Sequence, residues 1–183
     1  NANNKGGLYA IQYRFADGGD VPRWDVMLHE VAHTMGAVVN DARNATGALL
    51  ILDADKFKLI NDRFGHQAGD RALELIAETL RATVRAGDIV GRLGGEEFGV
   101  FLPNIDRVSA GRVAERLRIA VADIAFIAEG RRHPLSVSIG GVVFDEQASF
   151  ELLFRQADDR LYHAKQTGRN KVAMTSYIAA AAS

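Results

Sequence analysis

The sequence predicts an α+β fold, an α/β sandwich in which helices pack against an antiparallel sheet. Residues 48–52 form a continuous apolar run, which is typical of a buried central strand. Two further apolar segments flank the pair Gly94 and Gly95, a pattern that predicts a β-hairpin. Helical periodicity occurs on either side of this hairpin, so the element order is strand, helix, hairpin, helix, strand. That is the ferredoxin-like βαββαβ order, with its helices on one face of the sheet and with helices and strands added to the core.

Two elements precede this core. Large apolar side chains occupy every second position of residues 8–15, which predicts a strand. In residues 25–42 the apolar side chains recur at helical spacing, which predicts an amphipathic helix.

The elements of the core follow in order. Helix 70–85 comes after the buried strand, then the hairpin between residues 89 and 102, then helix 106–124; each helix has one apolar stripe. Strand 135–143 and helix 150–166 come next, and Gly168 suits the end of that helix. A strand at 171–175 completes the fold, and we expect the alanine-rich residues 177–183 to be frayed.

Composition indicates a single intracellular domain. A chain of 183 residues with 48% hydrophobic side chains can bury a sizeable core. The net charge of −1 gives no support for general nucleic-acid binding, which favours a basic face, so nucleic acid is not an expected partner. Cysteine is absent, which fits a reducing compartment, and no apolar run approaches the roughly 20 residues of a membrane span. We therefore expect a cytoplasmic domain, which is compatible with a membrane anchor elsewhere in a longer protein.

Acidic side chains concentrate at two predicted strand ends. Asp53 follows the buried strand, and Glu96 and Glu97 follow the glycine pair. In the ferredoxin-like order the first strand lies beside the hairpin, so Asp53 and Glu96 should converge at one edge of the sheet. Buried acids are costly unless they are paired or metal-bound, and carboxylates beside a phosphate suit a hard divalent cation. For the hairpin turn alone, a solvated acidic loop would be the simpler interpretation.

The two glycines have a predicted conformational role. A tight primed turn requires positive φ angles, which we expect Gly94 and Gly95 to supply. Because they lack side chains, a bulky anion could approach the backbone of the turn closely.

Several motifs occur together in an order that is typical of one protein family. They are the segment 53–70, the turn Gly94-Gly95-Glu96-Glu97-Phe98, the segment 135–140 and the segment 157–170. On these residues the chain resembles the GGDEF domain, the catalytic domain of bacterial diguanylate cyclases, in its GGEEF form, over roughly residues 47–171. The resemblance implies the fold shared by nucleotidyl cyclases and polymerase palms. It divides the chain into an N-terminal appendage or linker remnant (1–19), a GGDEF catalytic domain (20–176) and a frayed tail (177–183).

The resemblance also implies a reaction. Two GTP molecules, bound to two facing domains, condense into cyclic di-GMP and release two pyrophosphates, and divalent metal ions (Mg²⁺ or Mn²⁺) lower the barrier. It therefore implies a homodimer of domains for catalysis and an upstream sensor domain in the full-length protein. Cyclic di-GMP is the implied product and feedback inhibitor.

The family's site residues are carried over to the matching positions of this chain. The implied metal ligands are Asp53, the backbone carbonyl of Ala54, and Glu96. The implied catalytic residues are Glu96, Glu97 and Lys58. The implied phosphate-binding groups are Lys56 and Phe57 through their amides, and Lys58, Lys165 and Arg169 through their side chains.

Asn61 and Asp70 are the implied base-binding residues. A carboxylate accepts hydrogen bonds from both N1–H and N2–H₂ of guanine, whereas adenine would place the lone pair of N1 against Asp70. Asp70 therefore favours GTP over ATP. Without the other motifs, Asp70 would equally be the N-cap of helix 70–85.

Arg85 and Asp88 match the RxxD arrangement of the family's inhibitory product site. There the arginine would bind a phosphate or guanine and the aspartate a guanine edge. The alternative is a basic residue that ends a helix and an aspartate in a turn.

Two features keep alternatives open. The family's DxLTGLxNR segment corresponds to residues 20–25, where Arg23 stands in for the family's arginine and the Leu-Thr-Gly-Leu turn is missing. This departure favours a catalytically silent GGDEF-like domain that binds nucleotide or cyclic di-GMP, whereas the intact turn 94–98, Asp53 and Lys58 favour an active one. His29, Glu30 and His33 spell HExxH, which on a helix could bind zinc as in a peptidase. The third histidine of the extended zinc motif is replaced by Val39, so the peptidase is the more remote alternative.

Overall fold

The computed structural model describes residues 46–146 and 148–177. The predicted strand 8–15, the predicted helix 25–42 and the HExxH motif lie outside the described residues. No helix in the described part of the chain is long and apolar enough to cross a membrane.

The described residues form seven strands and four α-helices. In chain order they are β1 (Gly47–Ala54), α1 (Phe57–Phe64), α2 (His66–Thr83), β2 (Ile89–Gly94), β3 (Glu97–Pro103), α3 (Arg107–Ala122), β4 (Phe126–Ala128), β5 (Arg131–His133), β6 (Val137–Phe144), α4 (Phe150–Gln166) and β7 (Val172–Ser176).

The main sheet has five strands in the order β2-β3-β1-β6-β7. β1 pairs antiparallel with both β3 and β6, and β2 pairs antiparallel with β3, which is the strand arrangement of a ferredoxin-like core. β7 is added parallel to β6, and β4 and β5 form a separate two-stranded hairpin. The predicted fold class is therefore confirmed, and the β4–β5 hairpin is an addition that the sequence does not predict.

β1 is buried on both faces, as its continuous apolar run predicts. Ala48, Leu50 and Leu52 pack with apolar side chains of α2 and α3, whereas Leu49 and Ile51 pack with those of α4. The two helices of the ferredoxin-like core thus share one face, as expected, and the added helix α4 covers the other. Apolar burial on both faces fixes the strand that leads to Asp53.

Gly140 explains how closely α4 packs on the sheet. A Cβ atom at this position in β6 would lie 2.1 Å from the backbone nitrogen of Leu161 and 2.2 Å from the carbonyl oxygen of Ala157. Only glycine permits this approach of helix backbone to strand, because no side chain separates them. The contact fixes the helix that carries Lys165.

The boundaries near the predicted base-binding residues differ from the sequence prediction. α2 begins at His66, after Gly65 with φ 83°, so Asp70 lies inside the helix and the N-cap alternative is wrong. The sequence does not predict α1, which has eight residues and no fully buried side chain.

The end of the chain is better ordered than expected at one residue. Tyr177 donates its backbone N–H to Val143 O over 2.7 Å and packs against the α4 side of the core. The prediction of a frayed tail is therefore wrong for residue 177, and residues 178–183 lie outside the described range.

Candidate active site

Asp53 and the glycine turn meet at one end of the sheet. Asp53 in β1 lies opposite Glu97 in β3, and the backbone N–H of Ala54 donates to the carbonyl oxygen of Glu96 over 3.1 Å. The pairing of β1 with β3 brings these distant parts of the sequence together. The convergence predicted from the element order is confirmed.

The turn between β2 and β3 contains two residues, Gly95 and Glu96. Gly95 has φ 48°, whereas Gly94 is the last residue of β2, so the prediction of a positive φ is correct for Gly95 and wrong for Gly94. A Cβ atom at either glycine would meet no atom within 4 Å. The turn is therefore open to an approaching ligand.

Burial raises the pKa of two carboxyls at this site. For Asp53 desolvation is the largest cause; Lys165 opposes it by a hydrogen bond and by charge, and Glu96 adds to the rise. For Glu97 desolvation is again the largest cause, followed by the charge of Asp53. Negative charge is thus concentrated in a partly desolvated place, an arrangement that a divalent cation would relieve.

The donor set at this position fits a hard cation. Carboxylate oxygens of Asp53 and Glu96 and the carbonyl of Ala54 are ligand types that Mg²⁺ prefers. Within residues 46–146 and 148–177, no three acidic or histidine side chains form a metal cluster by themselves. A backbone carbonyl, water or phosphate oxygen would therefore have to complete the coordination.

Lys165 contacts the carboxylate of Asp53 directly. Its Nζ lies 2.7 Å from Oδ2 of Asp53, with side chains that are 30% and 12% exposed. Arg169 is exposed at the corner that follows α4. The structure thus places Lys165 on an expected metal ligand and Arg169 four residues further along the chain.

α1 begins beside the same strand end. Lys56 precedes the helix with φ 58° and ψ 28°, and no side chain caps the helix. The first N–H groups of a helix, here those of Phe57 and Lys58, have no partner within the helix, and the helix dipole is positive at that end. Lys56 and Lys58 are both exposed, so amides and ammonium groups are available to an anion here.

Asn61 lies where α1 and α2 approach each other. Its Oδ1 is buried and has no hydrogen-bond partner, and a Cβ atom on Gly69 would lie 1.9 Å from it. Asp70, the next residue of α2, is exposed. A buried acceptor without a partner beside an exposed carboxylate is consistent with a site that a ligand's donors complete.

Sequence reasoning missed Arg92. This half-buried residue of β2 donates from Nε to Gly95 O over 2.9 Å. Burial lowers the pKa of its guanidinium, and the carboxylates of Asp70 and Glu96 oppose that effect. Arg92 is therefore bonded to the turn and interacts by charge with the expected base-binding acid. Its position two residues before the glycine pair was the available signal.

Sequence reasoning also gave Asp55 no role. Its carboxylate accepts hydrogen bonds from Ser136 Oγ over 2.8 Å, from Ser138 Oγ over 2.6 Å and from the backbone N–H of Asn170 over 2.9 Å. These donors are far away in sequence, so only the tertiary structure reveals them.

Arg85 and Asp88 form an ion pair, with Nε 2.9 Å from Oδ1. Asp88 also accepts the backbone N–H of Arg85, whose Nη2 donates to Pro103 O over 2.6 Å. The Asp88 side chain is 3% exposed and that of Arg85 is 57% exposed. The pair lies at the opposite end of the β2–β3 hairpin from the turn, roughly 20 Å away for a strand of this length.

Comparison with known proteins identifies the family. The family model described as "Diguanylate cyclase, GGDEF domain" matches residues 20–171, a range that includes the HExxH residues and gives the zinc peptidase no support. Diguanylate cyclase DgcP of Pseudomonas aeruginosa is 42% identical over 124 residues, which are 68% of this chain and 18% of that protein. Diguanylate cyclase DgcM of Escherichia coli is 42% identical over 125 residues, 68% of this chain and 30% of that protein. The chain thus corresponds to less than a third of each relative.

Solved structures agree with this result. The GGDEF domain of YfiN from Pseudomonas aeruginosa has a TM-score of 0.73 and 33% identity, covering 80% of this chain and 94% of that one. The GGDEF domain of DgcB from Caulobacter crescentus, in complex with c-di-GMP, has a TM-score of 0.74 and 25% identity, covering 87% of this chain and 98% of that one. Because the family model spans most of the chain and the relatives share both sequence and fold with it, this chain belongs to the GGDEF-domain family of diguanylate cyclases.

Proposed function

We propose that this chain is the catalytic domain of a diguanylate cyclase that condenses two GTP molecules into cyclic di-GMP and two pyrophosphates. The observation that carries the proposal is the pairing of Asp53 with Glu97 beside an open glycine turn. Diguanylate cyclases of this family generally use a divalent metal, and for this chain we propose Mg²⁺ or Mn²⁺. Asp53, the carbonyl of Ala54, and Glu96 would hold it, and when bound it would neutralise phosphate charge and acidify the attacking hydroxyl.

Glu97 is suited to proton transfer. Burial raises the pKa of its carboxyl, and a base is most effective when its pKa lies closer to the working pH. In the proposed reaction Glu97 accepts the proton of the 3′-hydroxyl group or assists the neighbouring metal ligands. The open turn leaves room for the sugar and phosphate to approach it.

The basic groups around the site bind the phosphates. Lys58 and the amides of Lys56 and Phe57 contact phosphate oxygens at the uncapped start of α1. Lys165 contacts Asp53 in this structure; when Asp53 binds a cation, the ammonium is available to the terminal phosphates together with Arg169. Asn61 and Asp70 bind the guanine edge, and the unpaired Oδ1 of Asn61 supports this assignment.

Chemistry requires two copies of the domain. Each copy binds one GTP, and the attacking hydroxyl belongs to the GTP of the other copy, so the active species is a homodimer of domains. We propose that an upstream sensor domain brings the two copies together, and that cyclic di-GMP inhibits by binding at Arg85 and Asp88. The family match begins at residue 20, and we assign the catalytic domain to residues 20–176.

Incubation of the purified protein with GTP and Mg²⁺, followed by chromatography of the products, tests the proposal. We expect cyclic di-GMP from GTP and no cyclic dinucleotide from ATP. Glu96→Gln should lower the rate by orders of magnitude with little change in Tm, because it removes ligand charge from an open turn. Glu78→Gln, the same change on an exposed face of α2, should leave the rate unchanged.

Two results would contradict the proposal. Full synthesis by Glu96→Gln would exclude the metal assignment. GTP binding without any product, at protein concentrations that favour dimers, would favour the silent GGDEF-like domain that the departure at residues 20–25 suggests.

A further inference from the structure

Asp55 is a second acid close to the proposed metal ligand Asp53, and metal binding is therefore the first role to test for it. It lies two positions after Asp53, and in extended chain alternate residues face the same side. Its carboxylate is instead occupied by protein donors: Ser138 Oγ reaches Oδ1, and Ser136 Oγ and the Asn170 N–H both reach Oδ2. An ionised carboxylate has about four acceptor positions, so most of its capacity is already used.

These three bonds join segments that are far apart in sequence. The donors are separated from Asp55 by 81, 83 and 115 positions. The two serines lie at the start of β6, and the third donor lies in the corner between α4 and β7. A backbone hydrogen bond also joins Asp55 to the start of β6, because the backbone N–H of Asp55 donates to Ser136 O over 2.9 Å.

The corner after α4 has an unfavourable backbone conformation. Gly168, Arg169 and Asn170 have φ angles of 118°, 62° and 45°, and the last two are side-chain-bearing residues in the left-handed region. Such a conformation persists where surrounding contacts over-determine it. The bond from the Asn170 N–H to Asp55 is one such contact, and the bond from the Arg169 N–H to Ala164 O, over 3.1 Å, is another.

The side chain of Asn170 is held from the opposite direction. Its Oδ1 accepts from Arg118 Nη1 of α3 over 2.7 Å. Arg118 is itself fixed by Glu115, with Nη2 2.6 Å from Oε1. Asn170 is thus fixed by its backbone to Asp55 and by its side chain to α3.

We propose that Asp55 is a positioning residue and not a metal ligand. It holds this corner and thereby directs Arg169 towards the phosphates that Arg169 and Lys165 bind. The inference rests on the proposed function for the identity of the bound phosphates. Asp53 and Asp55 thus have different roles. Asp53 lies with Glu97 and Lys165, whereas Asp55 fixes the backbone that carries Arg169.

Asp55→Asn tests the proposal while keeping the shape of the side chain. An amide has a single acceptor oxygen and no charge, so the bond from the Asn170 N–H becomes a weaker, neutral one even where that oxygen faces it, and the amide N–H groups then face the Ser138 hydroxyl, which must turn to accept. Hydrogen exchange at the Asn170 amide should become faster. KM for GTP should rise about tenfold, the scale of a lost charge-assisted hydrogen bond, while the half-saturating Mg²⁺ concentration, measured at saturating GTP, should stay the same.

Asp145→Asn is the matched control. Asp145 is exposed and follows the opposite end of β6, so the same change of charge should alter none of the three measurements. Ser138→Ala is the milder variant if Asp55→Asn folds poorly. It removes one bond to Asp55 and leaves the other two, so it should shift exchange and KM in the same direction by a smaller amount.

Three outcomes would overturn the proposal. Unchanged exchange at Asn170 in both variants would show that Asp55 does not hold the corner. A raised Mg²⁺ requirement with unchanged KM would make Asp55 a metal ligand. Faster exchange with unchanged KM would show that the corner does not direct the phosphate-binding side chains. If wild-type protein bound no GTP by calorimetry, the proposed function would fail, whereas the exchange experiment would still decide whether Asp55 anchors the corner.

Discussion

Glu97 shows how one side chain at this site responds to its surroundings. It lies opposite Asp53, and burial raises the pKa of its carboxyl above the usual value, with the charge of Asp53 adding to the rise. Between the unfolded and the raised folded pKa, the native protein binds more protons than the unfolded chain. The free energy of unfolding therefore falls as pH rises through that window.

A neutral residue at position 97 should remove this pH-dependent fall in the free energy of unfolding. In the presence of a chelator, Glu97→Gln should raise Tm at pH 7 by about 2 °C, and the difference should disappear below about pH 4, where the wild-type carboxyl is protonated in both states. Thermal melts across this pH range measure it, with Glu146→Gln on an exposed loop as control. A variant that is less stable than wild type by the same amount at every pH would contradict the prediction.

At the scale of elements, two helical glycines have opposite surroundings. A Cβ atom on Gly69 of α2 would lie 1.9 Å from Asn61 Oδ1 and 3.1 Å from the Phe57 ring, whereas a Cβ atom on Gly111 of α3 would meet no atom within 4 Å. The close approach of α1 and α2 depends on the first glycine. The second has no such constraint.

Alanine at these positions should therefore act in opposite directions. Gly69→Ala should displace Asn61, lower Tm and raise KM for GTP more than it lowers kcat. Gly111→Ala should raise stability by up to about 1 kcal/mol, since alanine is favoured over glycine in a helix, and should leave KM unchanged. Thermal melts and initial rates decide; equal KM values in the two variants would show that Asn61 does not bind the base.

The hairpin β2–β3 carries the proposed product site at the end away from the turn. Asp88 is buried and fixes the exposed guanidinium of Arg85, which suits recognition of an anionic ligand. With the active site disabled by Glu96→Gln, cyclic di-GMP should still bind, with a Kd in the micromolar range. Arg85→Ala should weaken that binding by about tenfold or more.

Arg81→Ala supplies the control for this experiment. Arg81 is exposed in the last turn of α2, four residues before Arg85, so its loss changes the net charge equally without removing a member of the pair. Calorimetry in which both variants keep the parent affinity would rule out a product site at Arg85 and Asp88.

At the scale of the whole molecule, the reaction should depend on protein concentration. A domain that holds one GTP needs a second copy, so the rate per chain should rise with concentration while GTP bound per chain should not. Fusing a coiled coil before Asp20 should raise the rate at fixed concentration, because it raises the effective concentration of the two domains. A rate per chain that stays constant over a hundredfold dilution of a monomeric protein would exclude the two-domain mechanism.

The sequence by itself determined the fold class and the acidic residues Asp53, Glu96 and Glu97 that meet at one end of the sheet. The run at 48–52 predicted the two-sided burial of β1 because a strand covered on both faces has no polar alternation. The element order predicted that Asp53 and the turn would meet, since β1 must lie beside the hairpin in this topology. The motifs at 53–70 and 94–98 indicated the GGDEF family, which the comparisons with known proteins confirmed.

The tertiary structure alone decided how these residues are held. Asp55 accepts hydrogen bonds from residues more than 80 positions away. Arg92 donates to Gly95 in the turn, and Lys165 contacts Asp53. Local patterns specify which residues form a helix or strand and which side chains are apolar. They do not specify which distant polar groups will meet, because a hydrogen bond or ion pair depends on the packing of whole elements rather than on sequence spacing.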